Sequence, residues 1–473
     1  MKKIILFLTS VAFLCGCTDM LDKAPYGTVS EATFYKTDAD AVMAVNSVYH
    51  RLQTGYAYGA FSFVYDIWSD DCVKGGGGPG DNAVWTELEE WTVQTSNGTA
   101  SSMWSAHFTG VYRANICINK VSAMPDSPIK NRVLGEAKFL RALFYSRLVQ
   151  IFGALPYWTD PDMEGLKSIP RTPADECWAN IIEDLEEAVT LLPESYEGAD
   201  LGRATKYSAY ALLGRAFLYT KQWQKAADAY AQIIKSGKFK LMDDFAANFT
   251  NTTSDNLPES IFEVQFASGT GSTSRAFQRH GWCRPRDIPY EYTGNGFAQP
   301  KESLVKEFEE GDLRRAATVM VPGDILWDDV PYDPAWSPYS GYNAMKYVYG
   351  PGVTHQEADV NFKIFRYSEI LIGYAEAVLN GASGNAGITG LQAFNMVRER
   401  AGLEGIGALT LDAIIHERRV EFALEGHRFF DVVRWGKGRE IFGSQFDENR
   451  DELMFIPINE MLKNPNLTQN PGY

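Results

Sequence analysis

Over residues 206–236 the apolar side chains return every three or four positions: Tyr210, Leu213, Gly214 and Phe217, then Ala226 and Tyr230. That spacing turns one face of a helix toward a neighbour. Gly214 and Ala226 are small where two helices have to approach closely, and residues 220–222 form a hinge before Trp223 opens the second helix. This is the pattern of a tetratricopeptide-like helix hairpin, and a stack of such pairs buries a continuous core without needing a sheet. The same spacing recurs over 39–52, 101–121, 131–152 and 173–192. The predicted fold class is therefore mainly α, the bulk of the chain forming helix pairs with long irregular loops and a few short strands. Segments 131–152 with 173–192, and 367–379 with 391–401, supply two further candidate pairs. One more helical segment is predicted to run from 411 through 439, and a strand over 260–266 (SIFEVQF), whose residues alternate. With 473 residues, 45% of them apolar, the chain can fill a large core.

Two long irregular regions, 55–99 and 266–354, interrupt the helices with glycine, proline, asparagine and aromatics. Loops of that length in a compact protein usually carry function. They hold Trp68, Trp85, Trp91, Trp282, Trp327 and Trp336, more than half of the eleven tryptophans, beside Tyr290, Tyr292, Tyr339 and Tyr342. Residues 282–295 interleave rings with Arg284, Arg286, Asp287 and Asn295, and 327–342 interleave them with Asp328, Asp329 and Asp333. A sugar offers an apolar C–H face ringed by hydroxyls, so flat rings beside amide, carboxylate and guanidinium groups suit it. Each ring taken singly can equally be a loop anchor packed on the scaffold.

At the N-terminus Lys2 and Lys3 precede an apolar run from Ile4 to Leu14 that is too short to span a bilayer. The run closes on Leu14, Cys15, Gly16, Cys17, as a lipoprotein signal peptidase requires. Residues 1–16 are thus expected to be a signal peptide, Cys17 the acylated first residue, and 17–25 a tether ending in Pro25. Several acyl chains anchor a soluble body firmly. The body divides into a helical region, 26–265, and a C-terminal region with ligand-binding loops, 266–473.

Net charge is −16, which repels a phosphate backbone and argues against a nucleic-acid partner. Cys72, Cys117, Cys177 and Cys283 form no CxxC pair, and the six histidines never pair at ligand spacing, so no metal centre or cofactor is expected. No GxSxG, HExxH, GxxxxGK[ST] or GxGxxG occurs. A two-carboxylate glycosidase leaves no local motif, so a surface glycoside hydrolase is the alternative to a binding protein, followed by a non-sugar or adhesive lipoprotein. In the segment 417–435, Glu425 with Arg428 and Asp431 with Arg434 stand three residues apart and read as braces between helical turns.

Several motifs in order resemble the SusD/RagB family of outer-membrane nutrient-binding lipoproteins across nearly the whole chain. They are 25–35 (PYGTVSEATFY), 104–119 (WSAHFTGVYRANICIN), 135–156 (GEAKFLRALFYSRLVQIFGALP), 202–219 (GRATKYSAYALLGRAFLY), 311–315 (GDLRR), 366–377 (RYSEILIGYAEA), 397–403 (VRERAGL), 417–435 (ERRVEFALEGHRFFDVVRW) and the ending 455–473, with its closing NPGY read as a docked tail. The resemblance implies a tetratricopeptide-like helix-hairpin scaffold, an α-α superhelix, with a loop-built ligand face and no catalysis. It also implies a surface-exposed, lipid-anchored lid over a SusC-like TonB-dependent barrel, to which it passes oligosaccharides. The family builds its site from both irregular regions, which adds Asp70, Asp71, Asn82 and Trp85 to Trp282, Arg284, Tyr290, Tyr292, Asn295, Trp327, Trp336 and Tyr339 as candidate ligand-binding residues.

Overall fold

The computed structural model describes residues 34–249, 254–267, 278–353, 358 and 360–473. Cys17 and the expected leader and tether lie outside the described residues. The main helices are α1 (Asp38–Tyr49), α2 (Gly98–Ser122), α3 (Pro128–Phe152), α4 (Ala174–Leu191), α5 (Lys206–Tyr219), α6 (Trp223–Ser236), α7 (Tyr367–Leu379), α8 (Gly390–Arg400), α9 (Leu411–Phe422) and α10 (Arg428–Arg434). From α2 to α8 each packs on the next, and α1 lies against α2 and α3. This is the superhelix of hairpins that the resemblance implies, and it includes the two pairs read from periodicity, α3 with α4 and α7 with α8. None of the described helices is long and apolar enough to cross a membrane.

Local chemistry fixes the helix ends. Thr205 caps α5 in a reciprocal box with Ser208, and Ser127 caps α3 with Pro128 in its first turn. The hairpin α5–α6 depends on a close approach: a Cβ on Gly214 would lie 2.3 Å from the Tyr230 ring, and one on Gly373 of α7 2.7 Å from it. Three helices therefore meet on one tyrosine, and only glycine leaves room for it.

Six short strands form three antiparallel pairs: β1 (Cys72–Gly75) with β3 (Phe297–Pro300), β2 (Ser260–Val264) with β6 (Phe362–Arg366), and β4 (Val319–Met320) with β5 (Asn343–Ala344). β2 is shorter than the alternation over 260–266 suggests, and from Ile261 onward every residue in it is buried. Glu263 is consequently neutralised in the interior by Lys363, 3.1 Å away. One hydrophobic core runs through residues on both sides of 265.

The helix expected over 411–439 is broken. α9 ends at Phe422, and Leu424 and Gly426 take φ of 63° and 73° before α10 begins. The break redirects the charges. Asp431 does pair with Arg434 at 2.8 Å. Glu425 and Arg428, however, do not pair with each other: Glu425 accepts from Arg366 (2.8 Å) and Lys346 (2.9 Å), and Arg428 reaches Asp70 (2.8 Å). Arg366 also holds Glu259 (2.8 Å) and Glu421 (2.7 Å), while Arg314 holds Asp312 (2.8 Å), Glu417 (2.5 Å) and Glu421 (3.0 Å). These side chains are almost wholly inaccessible. Buried ions persist only when fully paired, so each arginine needs several acids from distant segments.

The ending is docked. Asn470 donates to the carbonyls of Phe152 (3.0 Å) and Met454 (2.7 Å), closing the C-terminus of α3. The four described cysteines are buried free thiols.

Candidate ligand-binding face

β3 is the spine on which three loops meet: the first, 75–82, follows β1, the second spans 282–295 and the third 327–342. After β1 the chain turns through Gly75 and Gly76, both at positive φ, and Gly76 donates to the Gly296 carbonyl (2.8 Å) at the start of β3. Gly77 lies against the second loop: a Cβ there would sit 3.0 Å from the Arg286 guanidinium. Asp81 accepts from the Gly77 amide (2.8 Å) and stands 3.8 Å from Arg286, and Lys74 ties the turn by donating to the Gly78 (2.9 Å) and Asp81 (2.7 Å) carbonyls. The third loop is joined to the other two by the Tyr339 amide, which donates to Gln299 of β3 (3.2 Å), and by the Tyr290 hydroxyl, which donates to the Trp327 carbonyl (2.6 Å).

The rings on these loops are partly open to solvent. Trp327 is half-buried, 6.4 Å from Tyr290 and packed against Gly350. Burial, and after it the charge of Asp328, push the Tyr290 phenol above its ordinary value. Asp328 and Asp329 are exposed and both left-handed, at φ of 57° and 58°. Trp336 is half-buried with its ring edge-on to Tyr332 at 5.8 Å, and Tyr339 is 46% exposed. Tyr292 and Asn295 are half-buried on the second loop, and Asn82 is exposed at the start of a short helix, Ala83–Glu89, donating to Asp81 (3.0 Å). Next to the third loop opens a concavity of about 660 Å³, lined by Phe308, Leu313, Arg315, Val321 and Tyr342 among others. Rings and carboxylates thus stand partly exposed along one loop, and Tyr342 of that loop lines the concavity with Arg315.

Other expected residues lie beneath it. Asp71 is fully buried and accepts from Arg419 (3.0 Å), and Asp70 is held by Arg419 (3.0 Å) and Arg428 (2.8 Å). Trp85 is 1% exposed, with Phe297 at 5.0 Å and Phe63 at 5.3 Å, and Trp282 joins that cluster through Phe61 at 5.0 Å. Arg284 is buried with Tyr290 5.2 Å above its guanidinium. Trp68 and Trp91 are core residues too, Trp68 stacked on Phe429 at 3.9 Å. The first irregular region folds inward against α10 and β3, so most of its rings and acids face protein, and Trp282 of the second region joins its ring cluster. Asp70, Asp71, Trp85 and Arg284 support the face rather than form it, and Trp282 is mostly engaged in the core.

Sequence reasoning missed the concavity. Its signal was Leu313, an apolar residue inside the charged run GDLRR and 64% exposed. It also missed a groove of about 280 Å³ where Trp104, Phe108 and Tyr112 of α2 face Leu467. Those rings recur every four residues, which reads as ordinary helix packing. Among the described residues, no three His, Cys, Asp or Glu side chains are grouped to hold a metal ion.

Residues 258–455 match the family model described as the SusD family, and residues 21–218 match a SusD-like model described as starch-binding associating with outer membrane. The chain is similar to SusD-like protein P2 of Formosa agariphila, 29% identical with all of both chains covered. Among solved structures it resembles surface glycan-binding protein A from Bacteroides fluxus, 30% identical, TM-score 0.82, covering 93% of this chain and 100% of that one. A laminarin binding SusD-like protein is 29% identical, with TM-score 0.82 and the same coverage.

Proposed function

The chain belongs to the SusD family, and from that premise we propose that it is a non-catalytic glycan-binding lipoprotein of the outer-membrane surface. It captures oligosaccharides on the face formed by the three loops and passes them to a SusC-like TonB-dependent barrel. The reading rests on one observation above all: Trp327, Trp336, Tyr339 and Tyr342 stand partly exposed along a single loop that also carries Asp328, Asp329 and Asp333, and Tyr342 lines an open concavity. A stacked sugar needs rings of that kind, and an open site leaves much of the ligand solvated, so affinity is modest. Anchoring is assigned to acylated Cys17. The similarity to a laminarin-binding relative makes laminarin the first ligand to try.

The test is a glycan array with laminarin included, followed by calorimetry and by analysis of the glycan recovered. Binding with the glycan returned intact is the expected result. Release of shorter products would favour the glycoside hydrolase, and failure to bind any glycan would favour a non-sugar nutrient.

A further inference from the structure

Away from the ligand face, a small cavity of about 20 Å³ lies between α3, α5, α9 and α10. Arg147, Gln150, Arg215, Arg418, His427 and Arg434 are among the residues that line it. Two of its arginines are fully matched by acids. Arg215 grips Glu369 through Nε (2.9 Å) and Nη2 (2.7 Å), and Arg434 grips Glu376 (2.8 Å) and Asp431 (2.8 Å).

The other two are not matched. Arg418 reaches Asp431 through Nε alone (2.8 Å), and its guanidinium lies 4.9 Å from the Phe422 ring. Arg147, only 7% exposed, makes no hydrogen bond or ion pair with any described residue. Its guanidinium is caged by the rings of Phe430 (4.6 Å), Tyr65 (5.1 Å) and Tyr58 (5.7 Å). Rings attract a cation but accept its N–H groups poorly, and a buried guanidinium without an acceptor is costly. The amide of Gln150, 8% exposed, lines the same space. Donors from two helices thus converge on one small space.

Charge points the same way. The four arginines face Glu369, Asp431 and Glu376, which leaves one positive charge over. Burial, followed by the field of Arg215, Arg418 and Arg147, holds the His427 imidazole well below its ordinary range and neutral. A water molecule would satisfy donors but leave the charge. The space is that of one or two water-sized particles, too small for phosphate or sulfate.

We infer that this cavity binds one small monovalent anion of halide type, held by the guanidinium groups of Arg147 and Arg418 and the amide of Gln150. The site joins α3 to the segment that anchors the first irregular region, where Gly426 donates to Asp66 (2.8 Å) and Phe429 stacks on Trp68. Its occupancy stabilises the fold as any ligand that binds only the native state does.

The test uses the intact chain. Crystals grown in sodium bromide should show an anomalous peak beside Arg147. Thermal melts at constant ionic strength should show a saturable rise in melting temperature when sodium gluconate is replaced by chloride or bromide. Arg147→Gln should raise the half-saturating halide concentration at least tenfold, and Gln150→Leu should raise it less. A cavity holding only water, or melts that do not distinguish halide from gluconate, would overturn the assignment. Because removing a caged arginine can impair folding, the wild-type bromide peak and the Gln150→Leu titration decide the matter without that variant.

Discussion

Trp336 and Trp85 carry the same side chain in opposite surroundings: one is half-exposed on the third loop, the other sits in a closed aromatic cluster. Trp336→Ala is expected to weaken glycan binding roughly tenfold, about 1.4 kcal/mol, with the melting temperature unchanged. Trp85→Ala should instead cost about 3–5 kcal/mol of stability. Calorimetry and denaturant melts on the two variants check both. From sequence the two rings could not be told apart, because each lies in a glycine-rich irregular stretch and burial depends on what packs across it. Titration is a second residue-scale property. His107 is buried, lends Nδ1 to the Met103 carbonyl (2.8 Å), and is pushed down to about 4 by burial. The unfolded chain takes up that proton near pH 6.5, roughly the ordinary histidine value, and the folded chain does not. Its stabilisation is thus complete above that pH and is lost progressively as pH falls toward 4. His107→Leu should flatten the decline in melting temperature over that interval relative to wild type.

At the scale of elements, the hairpins are set by periodicity, and Gly214 shows how tightly. With Tyr230 already 2.3 Å from where a Cβ would sit, Gly214→Val is expected to cost about 1–3 kcal/mol by overpacking, read as a lowered urea midpoint. The double variant with Tyr230→Leu should recover part of it. The helix hairpins were legible because three-and-four spacing is a local property. The break between α9 and α10 was not: apolar residues continue through it, and Leu424 adopts a left-handed φ that its side chain gives no hint of. Only Gly426 marked the place. The loops of the proposed ligand face stood out as a region, since rings and polar residues crowd into 282–295 and 327–342. Its membership was not, since Asp70 and Asp71 become partners of Arg419 and Arg428 only after distant segments meet.

For the whole molecule, the expected outcome of Cys17→Ala is release from the membrane fraction as a soluble or unprocessed form, with loss of fatty-acid label. A wild type that takes up no label would remove the anchor from the proposal. Purification in mild detergent should bring a large β-barrel with the wild-type protein, and its absence would count against the transport role. The feature with the widest reach is the buried ion network around Arg366 and Arg314, whose acids come from Glu259, Asp312, Glu417, Glu421 and Glu425. A partly folded chain that assembled half of it would trap an unmatched charge at a cost of several kcal/mol. Intermediates are therefore penalised, and opening becomes all or none. Wherever proteases meet the chain, what counts is how seldom it opens and not how deep its free-energy minimum lies. The network converts matched charge into a long native lifetime.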